Sequence, residues 1–339
     1  MEKVSTIGLD LAKNVFQVHG VNEAGKVVVA RKLRRGQMLA WFAKLEPCLI
    51  GVEACGTAHD WARALQKLGH TVRLIPPAYA KAYVRRNKND AADAAAICEA
   101  VSRPSMRFVA IKSEAQQALA GLHRVRELLM KQRTMLRNQL RGLMAEFGVV
   151  AAPGRRGLNE LLAVLCDDAD PRIPRSLREA LLADAEVLRG LERKIEGIER
   201  QMVEAGRENA TYRHLITADG YGPILSSAMV AMAIDPHAFK RACDFAASLG
   251  LVPRQDGTGG KVKLGPISKR GNGYLRRLLV NGATSLIISG YAKRDPWLKK
   301  LLATKPRKVA AVALANKLAR IGWALMVHQE DYRHLPTAA

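Results

Sequence analysis

The sequence predicts an α/β domain followed by a largely helical remainder. Two observations carry that expectation: strand-like runs alternate with helical ones up to about residue 105, and two long stretches between 114 and 205 place apolar residues every three or four positions. A third observation, a net charge of +23 from 54 Lys plus Arg against 31 Asp plus Glu, indicates a polyanionic partner, of which nucleic acid is the commonest. The chain has 339 residues, room for two or three domains at roughly 150 residues each. With 48% hydrophobic and 25% charged residues, it does not have the composition of a disordered chain.

Residues 3 to about 105 read as βββαβαβ. Val4 to Leu9 is a short apolar run, Val15 to Val21 alternates in part, and Lys26-Val27-Val28-Val29 follows an Asn22-Glu23-Ala24-Gly25 turn, so three strands with tight connections are expected. A helical stretch near 37–45 comes next. Cys48 to Val52 reads as a buried strand, 58–68 as a helix stopped by Gly69, and 71–75 as a strand closed by Pro76-Pro77. A further helix runs to about Val101, and the whole order suggests a mixed sheet with helices on its faces.

From 114 to 147 the stripe Ala118, Leu122, Val125, Leu129, Leu136, Leu140, Leu143 and Phe147 marks a long amphipathic helix. A Pro- and Gly-rich loop over 153–174 leads to a second stripe of Leu177, Leu181, Leu188, Leu191, Ile195, Ile198, Met202 and Ala205. The two are expected to zip together as an antiparallel, coiled-coil pair or to dimerise. Arg124, Arg126, Lys131, Arg133, Arg137 and Arg141 on the first helix suit a phosphate-binding face or a solvated exterior. Residues 211–330 read as helical with one long loop. A glycine turn at 217–223 offers backbone N–H groups to a phosphate or simply turns the chain.

Cys48, Cys55, Cys98, Cys166 and Cys243 are odd in number and irregular in spacing, which supports neither a disulfide framework nor a zinc site and fits a reducing cytoplasm. No stretch of about 18 apolar residues and no leader-like amino terminus stands out, so no membrane partner is expected.

Two carboxylates end apolar strands: Asp10 in Ile7-Gly8-Leu9-Asp10 and Glu53 in Ile50-Gly51-Val52-Glu53. Such a position is dehydrated on one side and calls for a cation or a capping role. On parallel neighbouring strands both would lie at the sheet edge where α/β domains build sites. Asp90 and Asp93, three apart, project from one face of the next helix or cap its start. Oxygen donors without His or Cys suit Mg²⁺ or Mn²⁺, and two such ions about 4 Å apart can assist displacement at phosphorus. An Asp-ended first strand also occurs in actin-like ATPases, which usually carry Gly two residues on, where this chain has Ala12.

Arg254, Lys261, Lys263, Lys269, Arg270, Arg276 and Arg277 crowd a glycine-rich segment with one acid, Asp256. A pliable loop that orders on phosphates is expected, or a merely flexible one. Thr258 and Ser268 are its candidate nucleophiles.

Taken in order, Gly8-Leu9-Asp10-Leu11-Ala12-Lys13, Val52-Glu53-Ala54-Cys55-Gly56, Lys88-Asn89-Asp90-Ala91-Ala92-Asp93-Ala94, Leu249-Gly250-Leu251-Val252-Pro253-Arg254-Gln255, Gly259-Gly260-Lys261 and Ile267-Ser268-Lys269-Arg270-Gly271 resemble a known family over nearly the whole chain. It is that of the DEDD-type insertion-sequence transposases, or bridge-RNA-guided recombinases (insertion-sequence family 110, 1111 subgroup). The resemblance implies a RuvC-like, RNase H-type nuclease domain at 1–108, a helical coiled-coil region at 109–210 and a helical C-terminal transposase domain at 211–339. It makes Asp10, Glu53, Asp90 and Asp93 the metal-binding tetrad. It implies a serine nucleophile in the C-terminal domain, which the family usually has at one of the positions occupied here by Gly257 and Thr258, leaving Thr258 to serve. The partners implied are donor and target duplex DNA, an element-encoded bridge RNA, and further copies of the chain as a dimer or tetramer. The expected function is RNA-guided excision and insertion of an insertion sequence. A junction-resolving nuclease using water and a non-catalytic nucleic-acid scaffold are the alternatives.

Overall fold

The computed structural model of the chain describes residues 2–83, 89–259 and 261–334. Two compact units divide it at Gln117 and Ala118, so the long helices and the C-terminal helices, expected as separate regions, share the second unit.

In the first unit, β1 (Thr6–Asp10), β2 (Val15–Val21) and β3 (Val27–Arg34) form an antiparallel meander. Then follow α1 (Met38–Phe42), β4 (Leu49–Glu53), α2 (Ala58–Lys67), β5 (Thr71–Ile75), a short α3 (Pro77–Ala80) and α4 (Asp90–Val101). The sheet order is β3-β2-β1-β4-β5, with β4 parallel to both β1 and β5. This is the mixed α/β sheet the sequence predicts. Register puts Ile7, Leu9, Phe16, Val18, Ile50 and Val52 on one face, where they pack against Met38, Phe42, Ala62 and Leu65 of α1 and α2. The other face carries Gly8 and Gly51, and α4 lies directly on them. A Cβ at Gly8 would stand 2.0 Å from the Ala94 carbonyl oxygen, and one at Gly51 would stand 2.7 Å from Val101 Cβ. Glycine at these two strand positions is what lets the helix dock.

The second unit opens with most of α5 (Glu114–Ala145), then α6 (Arg155–Cys166) and α7 (Arg175–Arg207). Arg126 bonds Glu199 at 2.6 Å, Arg137 bonds Glu192, and Gln139 bonds Asp184 at 3.1 Å, so partner numbers fall along α7 as they rise along α5 and the pair is antiparallel. Leu140, Met144, Leu181, Ala185 and Leu188 bury their side chains there with Leu158, Leu161 and Leu165 of α6. Helix α6 stands where the sequence reads as a loop. The glycines and prolines flanking it masked the Leu158, Leu161, Leu165 spacing that was its signal. The basic face of α5 is partly structural: besides the two ion pairs, Arg141 donates to the carbonyls of Ala151, Ala152 and Gly154.

Next come α8 (Ala210–Leu215), α9 (Pro223–Met232), α10 (Ala242–Ser248), β6 (Pro253–Thr258), β7 (Lys261–Ile267), α11 (Gly273–Ile288), α12 (Pro296–Thr304) and α13 (Arg307–His328). Leu225, Phe245, Leu275, Leu279, Leu314 and Leu318 form their shared core. By length and composition, α13 is the one described helix apolar enough to cross a membrane, but Leu314, Ala315, Leu318 and Ala319 are buried in that core. The glycine turn at 217–223 is structural: Ala218 and Tyr221 are buried, and the Tyr221 hydroxyl donates to the Leu318 carbonyl at 2.9 Å. The basic segment, expected as a pliable loop, contains the antiparallel β6–β7 hairpin turning at Gly259 (φ +57°). Its signal was the alternation Lys261-Val262-Lys263-Leu264 after a Gly-Gly pair in the sequence, which the abundance of glycine and charge obscured.

Candidate functional site

Asp10 closes β1 and Glu53 closes β4, and the parallel register Leu9 to Val52 brings both to the carboxyl edge of the sheet. Alternation puts them on the face of Gly8 and Gly51, beneath α4. Ala94 lies over Gly8 while Cys98, one turn later, bonds the Thr6 carbonyl through Sγ at 3.6 Å, so the first turn of α4, with Asp90 and Asp93, lies toward the end of β1 that bears Asp10. The capping alternative for these two aspartates does not hold: the helix is capped by Asn89, whose side-chain oxygen accepts from Ala92 N at 2.7 Å. Their charges in the first turn still favour the helix dipole.

The electrostatics record the grouping. Asp10 is half-buried, and its pKa is raised to about 6, first by loss of hydration and then by the charges of Asp93, Asp90 and Glu53, against a lowering backbone bond from Leu11. None of the four carboxylates has a lysine, arginine or histidine partner among the described residues. Nor do any three Asp, Glu, His or Cys side chains among the described residues close to within ligating distance of one ion. The four groups thus share one edge of the sheet without closing into a shell. Gln17, which pairs with Asp10 across β1 and β2, adds an orphan. It is 8% exposed, on the same face, and its Oε1 is buried without a hydrogen-bond donor. Four carboxylates without a cationic partner among the described residues and an unsatisfied amide oxygen are donors that suit a hard divalent cation. Gln17 was missed in the sequence because a neutral amide in a strand carries no signal of its own.

The basic residues of the second unit divide by use. Lys261 and Lys263 on β7 are exposed, as are Val262 (65%) and Leu264 (61%) beside them. Lys269 and Arg270 follow, exposed. Arg254 faces Asp256 at 3.1 Å in the open. Arg276 instead donates to the carbonyls of Leu249 (3.0 Å) and Arg270 (2.8 Å), and Arg277 bonds Glu127 while lying 5.2 Å over the Tyr274 ring. These two hold the fold. Thr258 ends β6, paired with Lys261 across the turn, and its side chain, like Lys88 and Gly260, lies outside the described residues. Ser268 donates its backbone N–H to the Val252 carbonyl at 2.9 Å.

A buried polar network joins three helices of this unit. His123 of α5 meets Ser227 of α9 through Nε2 at 3.1 Å and Tyr274 of α11 through Nδ1 at 3.0 Å. Burial, then the charge of Arg126, lowers the His123 pKa to about 4, so the ring is neutral at pH 7. Ser227 is fully buried, so this Ser-His pair locks helices together and meets no substrate.

The first unit carries the acidic sheet edge and the second, by itself, the basic hairpin. Residues 7–148 match a DEDD-type family described as transposase, and residues 212–301 match the transposase IS116/IS110/IS902 family. The chain is 49% identical to a probable family 20 transposase of Pseudomonas aeruginosa, over 97% of this chain and 99% of that one. It is 44% identical to a putative transposase of Sinorhizobium fredii, over 98% of this chain and 87% of the other. It is 39% identical to the transposase for insertion sequence element IS1111A of Coxiella burnetii, over 98% and 92%. The chain belongs to the IS110 family of transposases.

Proposed function

We propose that the chain moves an insertion sequence by cutting and rejoining DNA, with Asp10, Glu53, Asp90 and Asp93 holding Mg²⁺ or Mn²⁺ and the Thr258 hydroxyl attacking phosphorus. The observation that carries this reading is the alignment of Asp10 and Glu53 on adjacent parallel strands beneath the helix turn that bears Asp90 and Asp93. The strand order β3-β2-β1-β4-β5, three antiparallel strands continued by two parallel ones, supports an RNase H-type, RuvC-like nuclease domain. The antiparallel ion-paired α5 and α7 support a coiled-coil arm.

Bound divalent ions would supply charge neutralisation at the scissile phosphate and acidify an attacking hydroxyl. The chain's own part is to present a face of carboxylates that no cationic side chain among the described residues neutralises, so that the site stays free for ions. Gln17 offers a neutral oxygen at the rim of that face. Lys261, Lys263, Lys269 and Arg270 fix the DNA backbone. In the covalent step the Thr258 oxygen bonds to phosphorus as a bridging P–O bond of the strand breaks. The hydroxyl proton passes to solvent and the leaving strand end takes one up. The family resemblance extends the reading to an element-encoded guide RNA, to several copies of the chain acting together and to the cytoplasm.

Gly257-Thr258 in place of the family's serine favours a second reading, a junction-resolving nuclease in which water attacks. Denaturing gels with suicide DNA separate the two: protein-linked DNA is expected, lost in Thr258→Ala and kept in Thr258→Ser. Free ends alone would establish water as the nucleophile. A scaffold without catalysis would bind DNA and give neither product.

A further inference from the structure

We propose a second nucleic-acid contact on α12 and the start of α13, built to hold an unpaired base against Trp297 and its strand against surrounding lysines. It rests on the reading of the chain as a DNA-handling enzyme but lies apart in sequence from the β6–β7 hairpin.

Between residues 293 and 308, Lys293, Lys299, Lys300, Lys305, Arg307 and Lys308 are all exposed, and none makes an ion pair among the described residues. The one acid in this stretch, Asp295, is already engaged: it accepts from Leu298 N at 3.1 Å as the cap of α12 and bonds Lys317 Nζ at 2.9 Å. A solvated protein exterior ordinarily interleaves both signs. Here six cations, beside a seventh, Arg294, that lies 5.7 Å over the Tyr291 ring, stand without a free carboxylate in the stretch. Folding gives no reason for them: Arg307 and Lys308 occupy the first turn of α13, where the helix dipole opposes positive charge, and cations on α5 that serve the fold are matched to Glu192 and Glu199.

Trp297 sets the kind of strand. The residue is 43% exposed, and Lys317 Nζ, itself held by Asp295, stands 4.8 Å from the ring centroid. A pinned ammonium therefore fixes the ring while leaving indole surface open to solvent. Lys300, one turn along α12, shares its side of the helix. An exposed, immobilised aromatic ring among unpaired cations suits a base stacked out of a duplex or in a single strand, with phosphates on either side. A closed duplex offers the cations its phosphates but offers the ring no base face.

The test is fluorescence anisotropy of the full chain with a labelled 20-nucleotide oligothymidylate and with a duplex of the same length, across salt. Trp297→Ala is expected to weaken single-strand binding about tenfold, with Trp297→Phe near wild type and duplex affinity unchanged. Reversing Lys299, Lys300 and Lys308 to glutamate is expected to flatten the single-strand log-log salt slope by about 2, at roughly 0.7 per contact. If Trp297→Ala binds oligothymidylate as tightly as wild type, or if the triple reversal leaves the slope unchanged, the inference fails. Circular dichroism melting confirms that each variant is folded. If the wild-type chain binds neither oligonucleotide, the proposed function fails as well; if it binds both and only the α12 variants are silent, that function stands without this contact.

Discussion

At Asp10 the burial and the three neighbouring carboxylates favour the protonated acid in the folded chain, with a pKa of about 6. A raised carboxylate pKa contributes stability that is full below the ordinary carboxylate range near 4 and lost as pH rises through about 6. In EDTA, the Asp10→Asn variant is therefore expected to melt higher than wild type at pH 7.5, by about 1 kcal/mol after allowance for solvent around a half-exposed group, and to lose this advantage at pH 4.5. Thermal melts at the two pH values check it, and an equal or lower melting point at pH 7.5 would mean that the carboxylates do not strain one another. Gln17→Met, nearly isosteric, should weaken Mn²⁺ binding 10- to 100-fold in calorimetric titration if the orphaned amide oxygen serves the ion. His123 carries the opposite sign. Its pKa is held near 4, so its contribution is full above about 6.5 and lost as pH falls toward 4, by up to about 3 kcal/mol. Urea denaturation of wild type and His123→Phe, compared at pH 7 and pH 4.5, is expected to show the gap closing in acid; a constant gap would refute the neutral-histidine assignment. The placement of Asp10, Glu53, Asp90 and Asp93 at strand ends and a helix start was legible because each acid sits against an apolar run or a helix boundary. Gln17 and His123 were not, since only tertiary contact reveals that their polar atoms are buried.

For single elements, the docking of α4 decides whether the acidic edge exists. Gly8→Ala sets a methyl 2.0 Å from the Ala94 carbonyl oxygen, which neither strand nor helix can yield, whereas a Cβ at Gly56 meets nothing within 4 Å. Gly8→Ala should cost about 3 kcal/mol in urea denaturation and Gly56→Ala well under 1. Equal costs would show that α4 does not lie on β1 as described. The strands and α4 could be read from the sequence because short apolar runs bounded by turns have few other solutions. Helix α6 and the β6–β7 hairpin could not, because the glycines, prolines and charges around them imitate loop chemistry while the pairing that orders them is itself short.

In the molecule as a whole, part of the charge of +23 is used by the fold itself. Arg126, Arg137, Arg141, Arg276 and Arg277 hold helices and loops together, which composition alone does not distinguish from phosphate contacts. Alanine at Lys261, Lys263, Lys269 and Arg270 together should lower the log-log salt slope of duplex binding by about 4, at roughly 0.9 per contact, with stability unchanged. Alanine at Arg276 should instead destabilise the chain, since it leaves the Leu249 and Arg270 carbonyls without that donor. The most direct test of the central claim is anomalous diffraction from crystals soaked in Mn²⁺. The expected result is a peak bounded by Asp10, Glu53, Asp90 and Asp93 that vanishes in Asp10→Asn; manganese bound elsewhere, with those side chains left bare, would contradict it.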